Sequence, residues 1–250
     1  MIAVEHTGDI AILRMVHGKA NAMSTEFCRT LTAELGKFEA SKASAAVIVG
    51  QGTIFSAGVD LPRLAAGGAP YVREFLPALS AMFAAVFECR KPVVAAINGH
   101  AIAGGCVLAC AADRRLMVRD SGRIGVTELL VGVPFPAGAM EIMRRAVAPQ
   151  LFEEVIFGAS TYAPVDALGR GLIDEVVEAD ALLDRAVAEA KMLAALPPRA
   201  FAQTKRQTRA EALERLARDG ARIDAEVTEI WCADETLARI KDYVARTLKK

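Results

Sequence analysis

What this chain lacks first is net charge: thirty lysines and arginines balance thirty aspartates and glutamates. Neutrality gives no pull toward nucleic acid or an anionic membrane. It also weakens the repulsion that keeps copies apart, which leaves oligomerisation open. Aromatic residues are few, 6% against a hydrophobic fraction of 53%, so the core is expected to close through small aliphatic side chains. The five cysteines are odd in number and lack scaffold spacing. A chain of 250 residues has core enough without disulfides, so a reducing compartment, the cytoplasm, is expected. Cys106 and Cys110 share a helix face, but their apolar neighbours favour two buried core thiols over a zinc site. His6, His17 and His100 are scattered and suggest no metal cluster. Glu5, His6 and Asp9 interrupt any signal-peptide core. The longest apolar run, Ala101 to Ala112, falls short of the roughly 18 residues of a membrane span. No phosphate loop ending in Gly-Lys-Ser/Thr and no nucleophile elbow occurs. Gly50-Gln51-Gly52 opens like a dinucleotide fingerprint but has Phe55 at the third glycine position.

What is present alternates between strand and helix. Asp9 to Met15 reads as a strand after a weaker one at Ile2 to Val4, and Ser24 can cap a helix to about Ala40. Ala45 to Val49, Pro92 to Ile97 and Leu116 to Val118 are short apolar runs of the buried-strand kind. Pro70 to Arg90 has helical periodicity, and Ala103 to Ala112 is a helix of small residues. Beyond Pro134 the pattern is mostly helical, broken near Gly169 and by a strand-like Glu175 to Val177. Pro197-Pro198 marks a linker that divides a core, residues 1–196, from a helical region, residues 197–250. Two charged helices are expected there. The last carries a seam of Ile223, Val227, Ile230, Leu237, Ile240, Val244 and Leu248, suited to its own domain or to a neighbouring subunit. The basic run from Lys205 through Arg206, Arg209, Arg215, Arg218 and Arg222 is interleaved with acids and reads as a solvated, ion-paired helix surface. The fold class is α/β.

Two segments remain: Phe55-Ser56-Ala57-Gly58-Val59-Asp60-Leu61 and Ile97-Asn98-Gly99-His100-Ala101-Ile102-Ala103-Gly104-Gly105-Cys106. Each sets small residues in a turn where strand gives way to helix and backbone N–H groups lack intrahelical partners. Two such groups converging on one oxygen make an oxyanion hole. With Glu128 downstream, they form the least apparatus that can take a proton from beside a thioester carbonyl. The plainer alternative is that the glycines only permit close packing and that Glu128 is a surface carboxylate. Against it, Glu128 precedes Leu129-Leu130-Val131, surroundings that would raise its proton affinity. The Gly104 turn also follows a buried strand, where open α/β sheets place ligands.

With these residues the chain resembles the crotonase superfamily, the enoyl-CoA hydratase/isomerase fold. The likeness begins at Lys19-Ala20-Asn21-Ala22-Met23 and passes through Phe55 to Leu61, Lys91 to Gly99, and Ala103-Gly104-Gly105-Cys106. It then takes in Asp113, Ile124-Gly125-Val126-Thr127-Glu128-Leu129, and Ala167-Leu168-Gly169. It implies ββα units wound into a spiral, a C-terminal helical region that trimerises, and an acyl-CoA substrate. No cofactor beyond the coenzyme A of that substrate is implied, and a homotrimer or a dimer of trimers is expected. By position, the oxyanion donors would be the N–H groups of Val59 and Gly104, with Glu128 as the catalytic acid–base group. Lys19, Ala20, Ala57, Gly58, Asp60, Leu61, Gly105, Val107 and Thr127 would contact substrate.

One departure decides the expected chemistry. Hydratases of the family carry glutamate where this chain has Val107, which lies one helical turn from Gly104. Hydration needs a water held between two carboxylates, whereas moving a double bond needs one proton shuttle. Pro134-Phe135-Pro136-Ala137-Gly138 departs from the hydratase pattern as well. The chain looks most like the Δ3,Δ2-enoyl-CoA isomerases, with hydratase, hydrolase, decarboxylase or dehalogenase chemistry and a non-catalytic acyl-CoA binder as alternatives.

Overall fold

A computed structural model describes residues 1–247. Strands β1 (Ile2–Thr7) and β2 (Ile10–Met15) form an antiparallel hairpin. From β2 the sheet continues in parallel through β3 (Ala45–Val49), β5 (Val93–Ile97), β7 (Arg114–Val118) and β10 (Glu175–Val177). Every residue of β3 and β5 is buried, as a sheet covered on both faces requires. The strand period divides them between two cores. Ala46, Ile48, Val93 and Ala95 face the main core, while Ala45, Val47, Val94 and Ala96 face a smaller one closed by α7 (Leu182–Ala194).

A second, four-stranded sheet runs β4 (Ile54–Ser56), β6 (His100–Ile102), β8 (Ile124–Gly125), β9 (Thr161–Tyr162). Its strands are two or three residues long, too short for periodicity to reveal. The loops leading into β4 and β6 fit only because Gly99 has no side chain: a Cβ there would lie 1.7 Å from the Thr53 carbonyl oxygen. Asn98 locks the same corner, its Oδ1 accepting from Gly50 N at 2.8 Å and its Nδ2 donating to Gly52 O at 2.9 Å. Each of three successive units gives one strand to each sheet and then a helix. They are β3-β4-α2 (Leu61–Phe87), β5-β6-α3 (Gly104–Ala111) and β7-β8-α4 (Ala137–Ala146), and the short helices α5 (Phe152–Phe157) and α6 (Pro164–Gly169) follow before β10. This is the expected ββα spiral.

Helix α1 (Thr25–Ala40) begins at Ser24, whose hydroxyl accepts from Phe27 N at 3.2 Å. Helix α2 starts nine residues earlier than the Pro70 start expected from periodicity. Asp60 caps it, and Gly68 at φ +59° bends it ahead of Pro70. The bend breaks the apolar stripe, so only the second arm was legible. After Pro197 there are three helices among the described residues instead of two: α8 (Pro198–Thr208), α9 (Ala210–Cys232) and α10 (Asp234–Thr247). The seam is therefore split at Ala233. Val227, Leu237 and Ile240 are buried and Ile230 is 47% exposed, while Leu248 lies outside the described residues.

The basic run also departs from the sequence reading. Lys205 and Arg209 are not solvated; they are 7% and 2% exposed. Both grip Asp113, Lys205 Nζ at 2.7 Å from Oδ2 and Arg209 Nη2 at 2.8 Å from Oδ1. Asp113 Oδ2 also accepts from Val93 N at 2.8 Å, so one carboxylate ties α8 to the end of α3 and to β5. Burial holds both cations below their ordinary pKa, Arg209 at about 10. Ala212, Val227, Trp231, Leu237 and Ile240 belong to the main core, which continues past Pro197 without a break.

Candidate active site

The parallel strands β4, β6 and β8 lie side by side, with Ser56 opposite Ala101 and Ala101 opposite Ile124. Three or four residues beyond these positions come Val59, Gly104 and Glu128. The spiral thus delivers three functional groups from the carboxyl ends of three neighbouring strands, the edge at which α/β sheets bind ligands.

The first turn is pinned by the Lys19–Met23 segment. Asn21 Nδ2 donates to Phe55 O at 3.1 Å, Ser56 Oγ to Asn21 O at 2.8 Å, and Ala57 N to Ala20 O at 3.0 Å. Met23 N donates to Gly58 O at 2.7 Å and Asp60 N to Met23 O at 3.0 Å. The N–H of Val59, between them, makes no hydrogen bond among the described residues. In the second turn Ala103 adopts φ 51°, ψ −122°, a sparsely populated conformation costing about 1–3 kcal/mol. The surroundings hold it there: Ala103 N donates to Gly125 O at 2.8 Å, and its carbonyl accepts from Cys106 N and Val107 N. Gly104 opens α3, so its N–H has no intrahelical acceptor. The two turns touch. Gly58 sits at φ +81°, and a Cβ there would lie 2.7 Å from Ile102 O and 3.1 Å from Gly104 N. Two free main-chain donors therefore stand together at the ends of β4 and β6.

Glu128 follows β8 at the start of a tight 3-10 turn, where its carbonyl accepts from Val131 N and Val133 N, both at 3.2 Å. Its Oε2 is buried and meets no donor among the described residues. Burial raises its pKa from 4.5 to about 7, against the opposing pull of the backbone amides of residues 128 and 127. The raised proton affinity is as expected, but only one of the three neighbours named for it contributes. Val131 is buried in the cavity wall, whereas Leu129 and Leu130 are 41% and 55% exposed; the cavity wall desolvates the carboxyl.

That cavity encloses about 310 Å³. Ala20, Ala57, Val59, Asp60, Leu61, Gly104, Val107, Thr127 and Glu128 line it, as the sequence suggested. Three expected contact residues are absent from its wall. Lys19 is exposed on the surface, and Gly58 is buried behind the turn. Gly105 serves packing, since a Cβ there would lie 2.3 Å from Ser56 O. Val107, 1% exposed, presents hydrocarbon where a second acid would stand. The other carboxyl in the wall, Asp60, is engaged as a helix cap, its Oδ1 accepting from Arg63 N at 3.0 Å. Leu79 and Phe83 of α2, Phe135 ahead of α4, Trp231 of α9 and Tyr243 of α10 complete the enclosure; the sequence points to Leu64–Phe83 and the C-terminal helices as pocket wall without singling out these residues. One signal was available for Trp231, the single tryptophan of the chain.

The enoyl-CoA hydratase/isomerase family model matches residues 5–237. The chain belongs to the enoyl-CoA hydratase/isomerase family. It is 34% identical over 199 residues to a protein of Mycobacterium bovis described as probable enoyl-CoA hydratase EchA17, covering 78% of this chain and 75% of that one. It is 29% identical over 190 residues to the rat mitochondrial enoyl-CoA delta isomerase 1, covering 74% and 66%. The crystal structure of human mitochondrial delta3-delta2-enoyl-CoA isomerase superposes with a TM-score of 0.94 over 99% of this chain and 98% of that one, at 22% identity. That last likeness concerns the fold. Hydratase and isomerase names both stand among the relatives, so the reaction must be argued from the site.

Proposed function

We propose that this family member is an acyl-CoA isomerase that moves a C3–C4 double bond to C2–C3. Glu128 takes a proton from C2 of a 3-enoyl thioester, and the electron pair of that C–H bond forms a C1–C2 double bond while the C=O π pair moves onto the thioester oxygen. The N–H groups of Val59 and Gly104 hold that oxygen in the dienolate. Glu128 then gives its proton to C4: the C=O re-forms, the C1–C2 pair moves to C2–C3, and the C3–C4 π pair bonds the proton. One carboxylate takes and returns one proton, and beyond the two N–H groups and the substrate itself no further group takes part. The pKa near 7 suits this double duty, because a shuttle works best when neither giving nor taking is strongly uphill.

The observation that carries this proposal is Val107 in the cavity wall. Water addition needs a second acid to hold and orient the attacking water, and hydrocarbon there excludes that water. Val107→Glu is expected to introduce or raise hydration of a 2-enoyl-CoA, measured beside 3-enoyl-CoA isomerisation in the same preparation. If wild type hydrates 2-enoyl-CoA faster than it isomerises 3-enoyl-CoA, the hydratase alternative replaces this one. A non-catalytic binder would instead show saturable CoA-ester binding with no exchange of C2 protons in heavy water.

Assembly as a homotrimer, or a dimer of trimers, belongs to the same proposal. Leu129, Phe157 and Ile230 border an apolar groove of about 420 Å³, and all three are large exposed hydrophobics, a pattern of unpartnered interface. Cytoplasmic residence also belongs here. No helix among the described residues is long and apolar enough to cross a membrane.

A further inference from the structure

We propose that Trp231 is the stop that limits the length of the acyl chain this site accepts. The inference rests on the acyl-CoA assignment above and concerns the far end of the same cavity. The cavity has direction. Ala57 and Pro62 at one side are exposed, whereas Leu79, Phe135 and Trp231 at the other are 3%, 5% and 2% exposed. Glu128 and the two free N–H groups fix where the thioester sits, so its hydrocarbon tail runs toward the buried side. Among the described residues the polar side chains in the wall are Asp60, Thr127, Glu128, Tyr243 and Trp231, whose N–H is already engaged, which suits an unsubstituted hydrocarbon tail and disfavours one bearing hydroxyl or carboxyl groups.

The buried end cannot yield easily. Trp231 Nε1 donates to Pro134 O at 2.9 Å, so turning the indole aside would break this bond and strand a donor on a buried side chain. The segment that accepts this bond is stiffened by Pro134 and Pro136. It is tied again to α9 by Ala137 N donating to Asp224 Oδ1 at 2.8 Å. With about 310 Å³ available and about 30 Å³ for a water-sized group, the cavity holds roughly ten heavy atoms, the thioester among them. An acyl chain approaching about ten carbons therefore overfills it and must press on the indole.

Saturated acyl-CoA esters from butyryl to palmitoyl separate binding from turnover, and their affinities can be measured by calorimetry on wild type, Trp231→Ala and Trp231→Phe. Wild-type affinity should rise with length, then fall about 10-fold or more for each methylene beyond the stop. Trp231→Ala should move that break to longer chains and tighten the longest esters by at least about 10-fold, with Trp231→Phe between. A folded Trp231→Ala with an unmoved break overturns the inference. Should that variant fail to fold, an unmoved break in Trp231→Phe, which trims the ring and loses the Pro134 bond, overturns it equally. If wild type binds no ester at all, the acyl-CoA assignment falls and the stop with it. Esters that bind with an unmoved break defeat Trp231 alone.

Discussion

Glu128→Gln is expected to lower isomerisation of a 3-enoyl-CoA by about 10²- to 10⁴-fold, the range for a positioned acid–base group, with CoA-ester affinity largely retained. The amide keeps the volume and shape of the side chain in the cavity wall and removes only the capacity to carry the proton. Steady-state kinetics with the ester in excess, beside calorimetric affinity for a saturated ester, separates the two effects. Persistence of wild-type turnover in the variant would defeat the assignment of Glu128. The wild-type pH profile follows from the same group. Abstraction at C2 needs the ionised carboxylate, so kcat/KM should climb with pH through a midpoint near 7, where the carboxyl titrates. Glu128→Gln should abolish that limb.

Burial of this carboxyl also carries a stability consequence. Because its folded pKa, about 7, lies above its ordinary value of 4.5, the folded state holds the proton more tightly than the unfolded one. Below pH 4.5 the group is protonated in both states and costs nothing. Between pH 4.5 and 7 the unfolded chain ionises while the folded state keeps the proton, so stability falls by about 1.4 kcal/mol per pH unit, on the order of 3 kcal/mol in all, and levels off above 7. Glu128→Gln should therefore stabilise the protein in urea unfolding at pH 9 and leave it unchanged at pH 4. A site that gains stability when its acid is removed is one that stores energy for its chemistry.

Asp113→Asn is expected to destabilise the fold by about 3–5 kcal/mol, the usual cost of removing one partner from a buried ion pair. Lys205 and Arg209 would remain buried with no carboxylate to offset them, and burial already holds both below their ordinary pKa. Since α8 leads into α9, which carries Trp231, the loss should also loosen the closed end of the cavity. Urea midpoints at pH 7 test the first effect. Combining Asp113→Asn with Lys205→Met and Arg209→Met should recover much of the loss, because it is the orphaned charge that costs, not the absence of the bridge. If Asp113→Asn alone unfolds at the wild-type midpoint, the cluster does not hold the C-terminal helices.

The strands β3 and β5, and the Leu116–Val118 part of β7, were legible because each is a continuous apolar run, and a run of that kind has no stable place except a sheet covered on both faces; Arg114 and Arg115 hid the start of β7. Ser24 was legible because a hydroxyl before an amphipathic stretch has a local task. The strands of the second sheet were not, since two or three residues carry no period and are placed by contacts across the chain. The buried Lys205 and Arg209 show the same limit. A charge on a helix reads as solvated until the fold brings Asp113, ninety-two residues away in sequence, within 2.7 Å.

The sequence by itself determined the α/β alternation, the two glycine turns, the acid at 128 and the hydrocarbon at 107, because each depends on residue type at a local position. Only the tertiary structure decided that Val59 and Gly104 stand side by side, that cavity walls rather than Leu129 and Leu130 desolvate Glu128, and that Trp231 closes the far end. Those facts depend on distances between segments far apart in the chain, and such distances are set by packing, which no local pattern of residues encodes.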